Sequence, residues 1–368
     1  MIRQGLDASQ NPFPIRCQAA RLALESKAKR RVVDVGKLPN QLLAQLLARI
    51  GSYRSSRVVV GPGVGQDAAV IDMGDRLLVA KSDPITFASD LIGWYAVHIN
   101  ANDVACMGAR PAWFLATILL PQGAAPSLAE AIFQQVLDAC QGMGVELVGG
   151  HFEITYGLER PIVVGAMLGE VERERLVRGS GAEPGDCLVL TKGIAIEGTA
   201  VLAREAGEAL QRLGVPAAVL EEARGYIFQP GLSVVREALL AVDSAPVHAM
   251  HDPTEGGLAT ALHELATAGG VGLDVEEGAI PVLPCTDAIC RAAALEPLGL
   301  LASGALLIAL PSAHCDSLLA RLAQEKIAAA CIGSVKHHSA GIIMKGRSGS
   351  WEPLPQFARD ELARFLAQ

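Results

Sequence analysis

The feature that most limits the fold is an irregular alternation of strand-length apolar runs with helical repeats. Runs at "RVVVG" (57–61), "AAVIDM" (68–73) and "RLLVAKS" (76–82) follow a helix expected at about 39–50, with no helix between them. Next come a long helix over about 89–107, a strand at "AWFLATILL" (112–120), a helix over 126–143, and strands at "VELVGG" (145–150) and "RPIVVGAMLGEV" (160–171). The turn-rich "RGSGAEPGDCLVLTKG" (178–193) then marks a boundary. Beyond it, helices at about 197–212, 216–223 and 231–241 precede strands at 270–275, 304–310 and 327–335 that alternate with helices. Without regular βαβ spacing, two α+β domains fit better than one doubly wound sheet. The expected divisions are an extension (1–37), an N-terminal domain (38–178), a C-terminal domain (179–345) and a tail (346–368).

Composition removes several classes of function. A net charge of −8 with no basic cluster argues against a nucleic-acid partner. The longest apolar run, "LGLLASGALLIAL" (298–310), is too short to span a bilayer, and no secretory segment opens the chain, so a cytoplasmic protein is expected. Eight cysteines are scattered without a Cys-x-x-Cys pair, which suggests neither a disulfide framework nor a zinc site. The close pairs His248/His251 and His337/His338 are not read as metal sites.

Acidic residues carry more information. Six aspartates fall between residues 67 and 103, with no glutamate and only Arg76 and Lys81 to oppose them. Asp72, Asp75 and Asp90 suit solvated turns or a helix start. Asp67 follows the glycine-rich "GPGVGQ" and precedes an apolar strand, while Asp83 ends the strand "LLVAKS" before Pro84. Asp103 shares a helical stripe with Ile92, Ala96 and Ile99, so its carboxylate faces the apolar side near a helix C-terminus, where the macrodipole disfavours it. A carboxylate there needs a cation or strong hydrogen-bond donors. Two candidates stand open: an arginine such as Arg110, or a divalent metal shared with a phosphate.

"DPTEGGLATALHELATAGG" (252–270) reads as an amphipathic helix with Asp252 as cap, Pro253 in its first turn and Glu255 completing a capping box. Gly256 and Gly257 each cost roughly 1 kcal/mol inside a helix. Either they let a phosphate approach bare N–H groups, with Thr254 as a further donor, or they serve tight helix packing. "VGGHFEIT" (148–155) offers a second glycine pair, Gly149 and Gly150, leading to His151 and Glu153. His151 taken alone reads as a structural histidine.

In combination, "GQDAAVI" (65–71), "SDP" (82–84), "NANDVACMGARPAWF" (100–114), "GGH" (149–151) and "DPTEGGLA" (252–259) resemble the aminoimidazole ribonucleotide (AIR) synthase-like superfamily. "DPTEGGLAT" and "GIAIEGTAVLARE" (193–205) look most like its hydrogenase-maturation carbamoyl dehydratase branch. The resemblance implies a two-domain α+β fold whose N-terminal domains form a shared β-barrel in a homodimer. It also implies ATP and Mg2+ as cofactors, with Asp67, Asp83 and Asp103 holding the metal. Asn102, Gly149, Gly150, Thr254, Gly256 and Gly257 would join Asp67 and Asp103 in binding nucleotide, and Asp83, His151 and Asp252 would be catalytic. The implied activity is phosphoryl transfer from ATP to a small-molecule or protein-borne acceptor. The alternatives are a non-catalytic nucleotide-binding partner in hydrogenase maturation, or a small-molecule kinase of the thiamine-monophosphate kinase or selenophosphate synthase type. No nucleic acid or membrane is implied. Three departures stand out: Gln66 where many relatives carry Asp, an ending "ELARFLAQ" without the cysteine used by the dehydratase, and Cys17 outside the glycine-rich setting of selenophosphate synthases.

Overall fold

The computed structural model describes residues 37, 38 and 40–367. Of the expected extension only Lys37 is among them, and Cys17 lies outside the described residues.

The first sheet contains β1 (Val58–Val60), β2 (Ala69–Asp72), β3 (Leu77–Ile85), β4 (Arg110–Pro121), β5 (Glu146–Thr155) and β6 (Ile162–Val171). Their spatial order is β1-β2-β3-β6-β4-β5. All neighbours are antiparallel except β4 and β5, which the helix Pro126–Met143 joins as a crossover. That helix starts on a proline and stops at Gly144, whose left-handed backbone (φ 66°) caps it. The sheet is open, with β1 and β5 as edges, so the expected shared barrel is corrected. Among the described residues, nothing pairs with the outer edge of β5 or with the outer edge of β1.

β3 also departs from expectation. Its ladder with β6 runs from Leu77↔Val171 to Ile85↔Val163, so Asp83 lies inside the strand and not at its tip. On the other side, pairing with β2 stops at Ala80. From Lys81 onward that flank is free, which is why Pro84 is tolerated and why Asp83 reaches an open space.

The second sheet comprises β7 (Asp186–Thr191), β8 (Ala249–His251), β9 (Val271–Glu276), β10 (Leu307–Pro311), β11 (Ala329–His337), β12 (Ile342–Lys345) and β13 (Trp351–Pro353). Its order is β13-β12-β9-β11-β7-β10-β8. Apolar side chains from this sheet and the helix Gly257–Gly269 form one core, and the helices Val235–Ser244 and Cys315–Gln324 close another.

Between the sheets runs the helix Ile92–Cys106, buried at every residue except Trp94. It packs on β3 and β6 and also touches β8 and the helix Val235–Ser244. Close approach depends on Gly165 of β6, where a Cβ would come within 2.3 Å of Asn100 Nδ2. A polar residue on this helix is therefore held at a defined depth between the two halves of the molecule. Among the described residues, no helix is long and apolar enough to cross a membrane.

The expected capping box at 252–255 does not form. The helix begins at Gly257, and its N-cap is Gly256 at φ 79°. The carboxylate that accepts the Gly256 N–H, at 2.6 Å, belongs to Asp360. Asp360 is also the N-cap of the helix Glu361–Leu366, where its other oxygen accepts the Leu362 N–H at 2.7 Å. Leu362 is buried, Phe365 packs against the core, and Phe357 sits against Gly299.

Candidate functional site

A cleft of about 450 Å³ opens where the glycine-rich loop before β2, the free flank of β3, the end of the helix Ile92–Cys106 and the segment after β8 converge. Asp67, Asp83, Asp103, Asp252 and Thr254 all line it. Each arrives by a different route. Asp67 ends the loop, Asp83 projects from β3, Asp103 comes from the buried helix, and Asp252 and Thr254 follow β8.

The four carboxylates are unequally satisfied. Asn100 fixes the backbone of Asp83, its Oδ1 accepting the Asp83 N–H at 2.8 Å. Asp67 Oδ1 accepts from His251 Nδ1 at 2.6 Å, and His251 Nε2 donates to Glu264 Oε2 at 3.0 Å. Burial works against a charged His251, but Asp67 and Glu264 outweigh it and raise its pKa well above the ordinary imidazole value. His251 is thus a buried cation that orients Asp67. The Cys106 thiol donates to Asp252 Oδ1 at 3.7 Å. After these contacts, Asp67 Oδ2, Asp103 Oδ2 and Asp252 Oδ2 are buried without a partner, as is Gln66 Oε1. Unpaired buried oxygens of this kind are costly.

Within the chain, the cation beside Asp103 is Lys81 and not Arg110. Lys81 Nζ lies 3.3 Å from Asp103 Oδ1 and 3.2 Å from Asp83 Oδ2. Arg110, the partner considered from sequence, is exposed on β4 and lines a separate hollow with Trp94 and His98. Burial opposes the Lys81 charge, yet Asp103, Asp83 and Asp67 raise its pKa. Burial pushes Asp103 well above the usual carboxylate range, despite Lys81. Burial, then the neighbouring Asp67, lifts Asp252 to about 6, and burial lifts the cleft residue Glu197 to about 8. Acidic groups are crowded into one cleft, and burial pushes several of them toward the neutral form.

Other residues singled out from sequence lie elsewhere. Asn102 is buried beneath the cleft, where it donates to Leu232 O and accepts from Val234 N–H, so it holds a loop and does not line the cleft. Gly149, Gly150 and His151 sit on β5, at the open edge of the first sheet. His151 is exposed, with Glu153 at 3.6 Å as its neighbour, and does not join the aspartates within one chain. Gly150 is required by packing, since a Cβ there would stand 2.1 Å from Ala116 O. Gly256 and Gly257 are explained by conformation: both have positive φ, and a Cβ on Gly257 would meet Leu298 O at 2.3 Å.

Reading by residue type missed Lys81, His251, Glu264 and Asn100. Lys81 had a signal, because residues two apart on a strand share a face and so Lys81 accompanies Asp83. His251 and Glu264 had none, since their meeting with Asp67 depends on tertiary contact.

The buried polar atoms left without a partner at the cleft are all oxygens, three of them from carboxylates. Hard divalent cations such as Mg2+ prefer that chemistry, and the amide oxygen of Gln66 supplies a neutral member.

Comparison with known proteins gives a consistent picture. The model of the AIR synthase related protein N-terminal domain matches residues 65–171, and that of the C-terminal domain matches residues 183–345. Carbamoyl dehydratase HypE of Cupriavidus necator is 32% identical over 269 residues, covering 71% of this chain and 72% of its own. A crystal structure of the HypE–HypF complex shares the fold at a TM-score of 0.70 and 21% identity, over 86% of this chain and 99% of that one. A HypE crystal structure in complex with ATP does so at 0.64 and 24%, over 90% and 98%.

Proposed function

As this chain belongs to the AIR synthase related family, we propose that its cleft binds ATP with Mg2+ and activates an acceptor by phosphoryl transfer. One observation carries the reading: Asp67, Asp103 and Asp252 each aim a buried, unpartnered carboxylate oxygen into the same cleft. Family membership and the likeness to an ATP-bound HypE support the choice of nucleotide.

Asp67, Asp83 and Asp103 would hold the metal, with Asp252 and Gln66 adding oxygens. Bound Mg2+ supplies charge neutralisation for the phosphates. The protein's own residues do the rest. The doubly bonded His251 fixes the free oxygen of Asp67, as outer groups orient metal ligands elsewhere. Asn100 sets the direction of Asp83 by gripping its backbone. Lys81 stands between Asp83 and Asp103 and is free to turn toward phosphate oxygen once those carboxylates gain another cation. Lys37 donates to the Thr254 hydroxyl at 2.9 Å and adds a second ammonium at the rim. Asp252, whose free oxygen faces the same cleft, is the carboxylate proposed to accept the proton of the acceptor.

The acceptor is proposed to be a small molecule or a group delivered by a maturation partner, a reading supported by the relative crystallised with HypF. A second copy is also proposed to associate along the open edge of β5, where Phe152, Ile154 and Tyr156 are exposed.

Titration calorimetry with Mg2+ and a non-hydrolysable ATP analogue tests the cleft. Asp103→Asn should weaken binding about tenfold or more while the fold survives. Unchanged affinity in a folded variant would overturn the assignment.

A further inference from the structure

Three of the cysteines, far apart in sequence, meet at one point. Cys187 lies on β7, Cys331 on the adjacent antiparallel β11, and Cys315 is the first residue of the helix Cys315–Gln324. Their sulfur atoms all lie within 4.8 Å of one another. The register explains two of them: Cys331 pairs with Val189, so Cys187, two residues earlier on β7, shares its face. The helix completes the set by resting its first turn over that face.

Ordinary packing accounts for Cys187 and Cys315, which are buried in the apolar cluster with Leu318 and Leu322. It does not account for Cys331, which is exposed and so gains nothing as a core filler. One sulfur at the surface above two in the interior forms a path from solvent to the cluster. Within the cluster the hydrogen bond with Cys187 lowers the Cys331 thiol to about 6, while burial raises Cys315 and the contact with Cys331 raises Cys187, so the sulfur nearest solvent is the first to present a thiolate to an incoming ion.

We infer that Cys187, Cys315 and Cys331 form a binding site for one soft d10 metal ion, zinc(II) or copper(I), coordinated by three sulfurs and open to solvent beside Cys331. Zinc–sulfur bonds of about 2.3 Å place ligand sulfurs about 3.8 Å apart, so closure asks for a movement on the order of 1 Å. The exposed Cys331 can supply it by giving up the weak contact of its thiol with Gly333 O at 3.6 Å. Each thiol that becomes a ligand releases its proton to solvent, and no oxidant or reductant is needed. The site is independent of the oxygen-lined cleft and selects oppositely: sulfur ligands favour soft ions, whereas the carboxylates favour Mg2+. Once filled, it ties β7, β11 and the helix Cys315–Gln324 together, and its remaining coordination position faces outward.

The test uses the full chain, reduced and freed of metal without air, then given Zn2+ or Cu+ in separate arms. Native mass spectrometry should show one ion retained per chain in at least one arm. In that arm, alkylation of Cys331, mapped by peptide mass, should slow at least tenfold, while Mg2+ leaves it unchanged. Cys331→Ser, an exposed change compatible with folding, should lower affinity about tenfold or more in competition with a chromophoric chelator. Cys315→Ala should do the same if folded. Retention of neither ion, undiminished alkylation of Cys331, full affinity in folded Cys331→Ser, or a Cys187–Cys331 disulfide forming in place of the metal complex would each overturn the inference.

Discussion

At the scale of single residues, Lys81 and the raised carboxylates make the clearest predictions. Lys81 is the cation between Asp83 and Asp103, so Lys81→Met leaves two crowded carboxylates uncompensated. Breaking a buried pair this way costs about 3–5 kcal/mol, and part of that loss should return when Mg2+ is added. Thermal melts with and without Mg2+ would show this, and a variant as stable as the parent in metal-free buffer would contradict it. The pH dependence follows from Asp252 and Glu197. Both have folded pKa values above their ordinary ones: about 6 against 3.8 for Asp252, and about 8 against 4.5 for Glu197. Their protonated forms favour the folded state, so their contribution is fully present below pH 3.8 to 4.5. It is lost as pH rises through about 6 and then about 8. Metal-free protein should therefore gain stability from these groups as pH falls from 8 toward 5, while Mg2+–nucleotide affinity falls over the same range. Parallel melting and calorimetry series would detect opposite slopes. Asp67, Asp83 and Asp103 were legible as a group because loop, strand and helical stripe each assign a direction to a side chain. Their partners were not, because Asp67–His251–Glu264 joins three distant segments. The cysteine cluster escaped for the same reason, since spacing motifs detect only ligands that lie close along the chain.

At the scale of elements, the helix Gly257–Gly269 shows how a sound local pattern is overridden. Its apolar period was readable, but its cap was assigned to Asp252, because a residue more than a hundred positions later could not be foreseen as the real partner. Gly257→Ala, which helix propensity alone would favour by about 1 kcal/mol, should instead destabilise the protein. At φ 67° a side chain is strained, and its Cβ would press on Leu298 O. Urea denaturation showing a gain would reverse this account. Asp360→Ala removes the carboxylate shared by Gly256 and Leu362 and should cost about 1–2 kcal/mol, as loss of a cap does. A change within error would show that the two helix starts do not depend on it. Strand positions were mostly legible, whereas the extent of β3 past Pro84 was not. Its one-sided pairing is a property of the sheet, not of the residues from Lys81 to Ile85.

At the scale of the whole molecule, two α+β halves were foreseeable from the order of apolar runs. Barrel closure was expected and did not follow, because the first sheet stays open with β1 and β5 as its edges. Phe152→Lys with Ile154→Lys places charge on that edge, where exposed apolar side chains invite pairing. Sedimentation should show any self-association lost while the monomer stays folded, and an unchanged assembly would direct attention to another face. The position of Lys81 has one more consequence. By lodging an ammonium among the aspartates, the chain carries its own placeholder for the proposed magnesium ion, so folding should not wait on its supply. Chelation should therefore empty the cleft without unfolding the protein, and readmitted metal should restore nucleotide binding without a refolding delay.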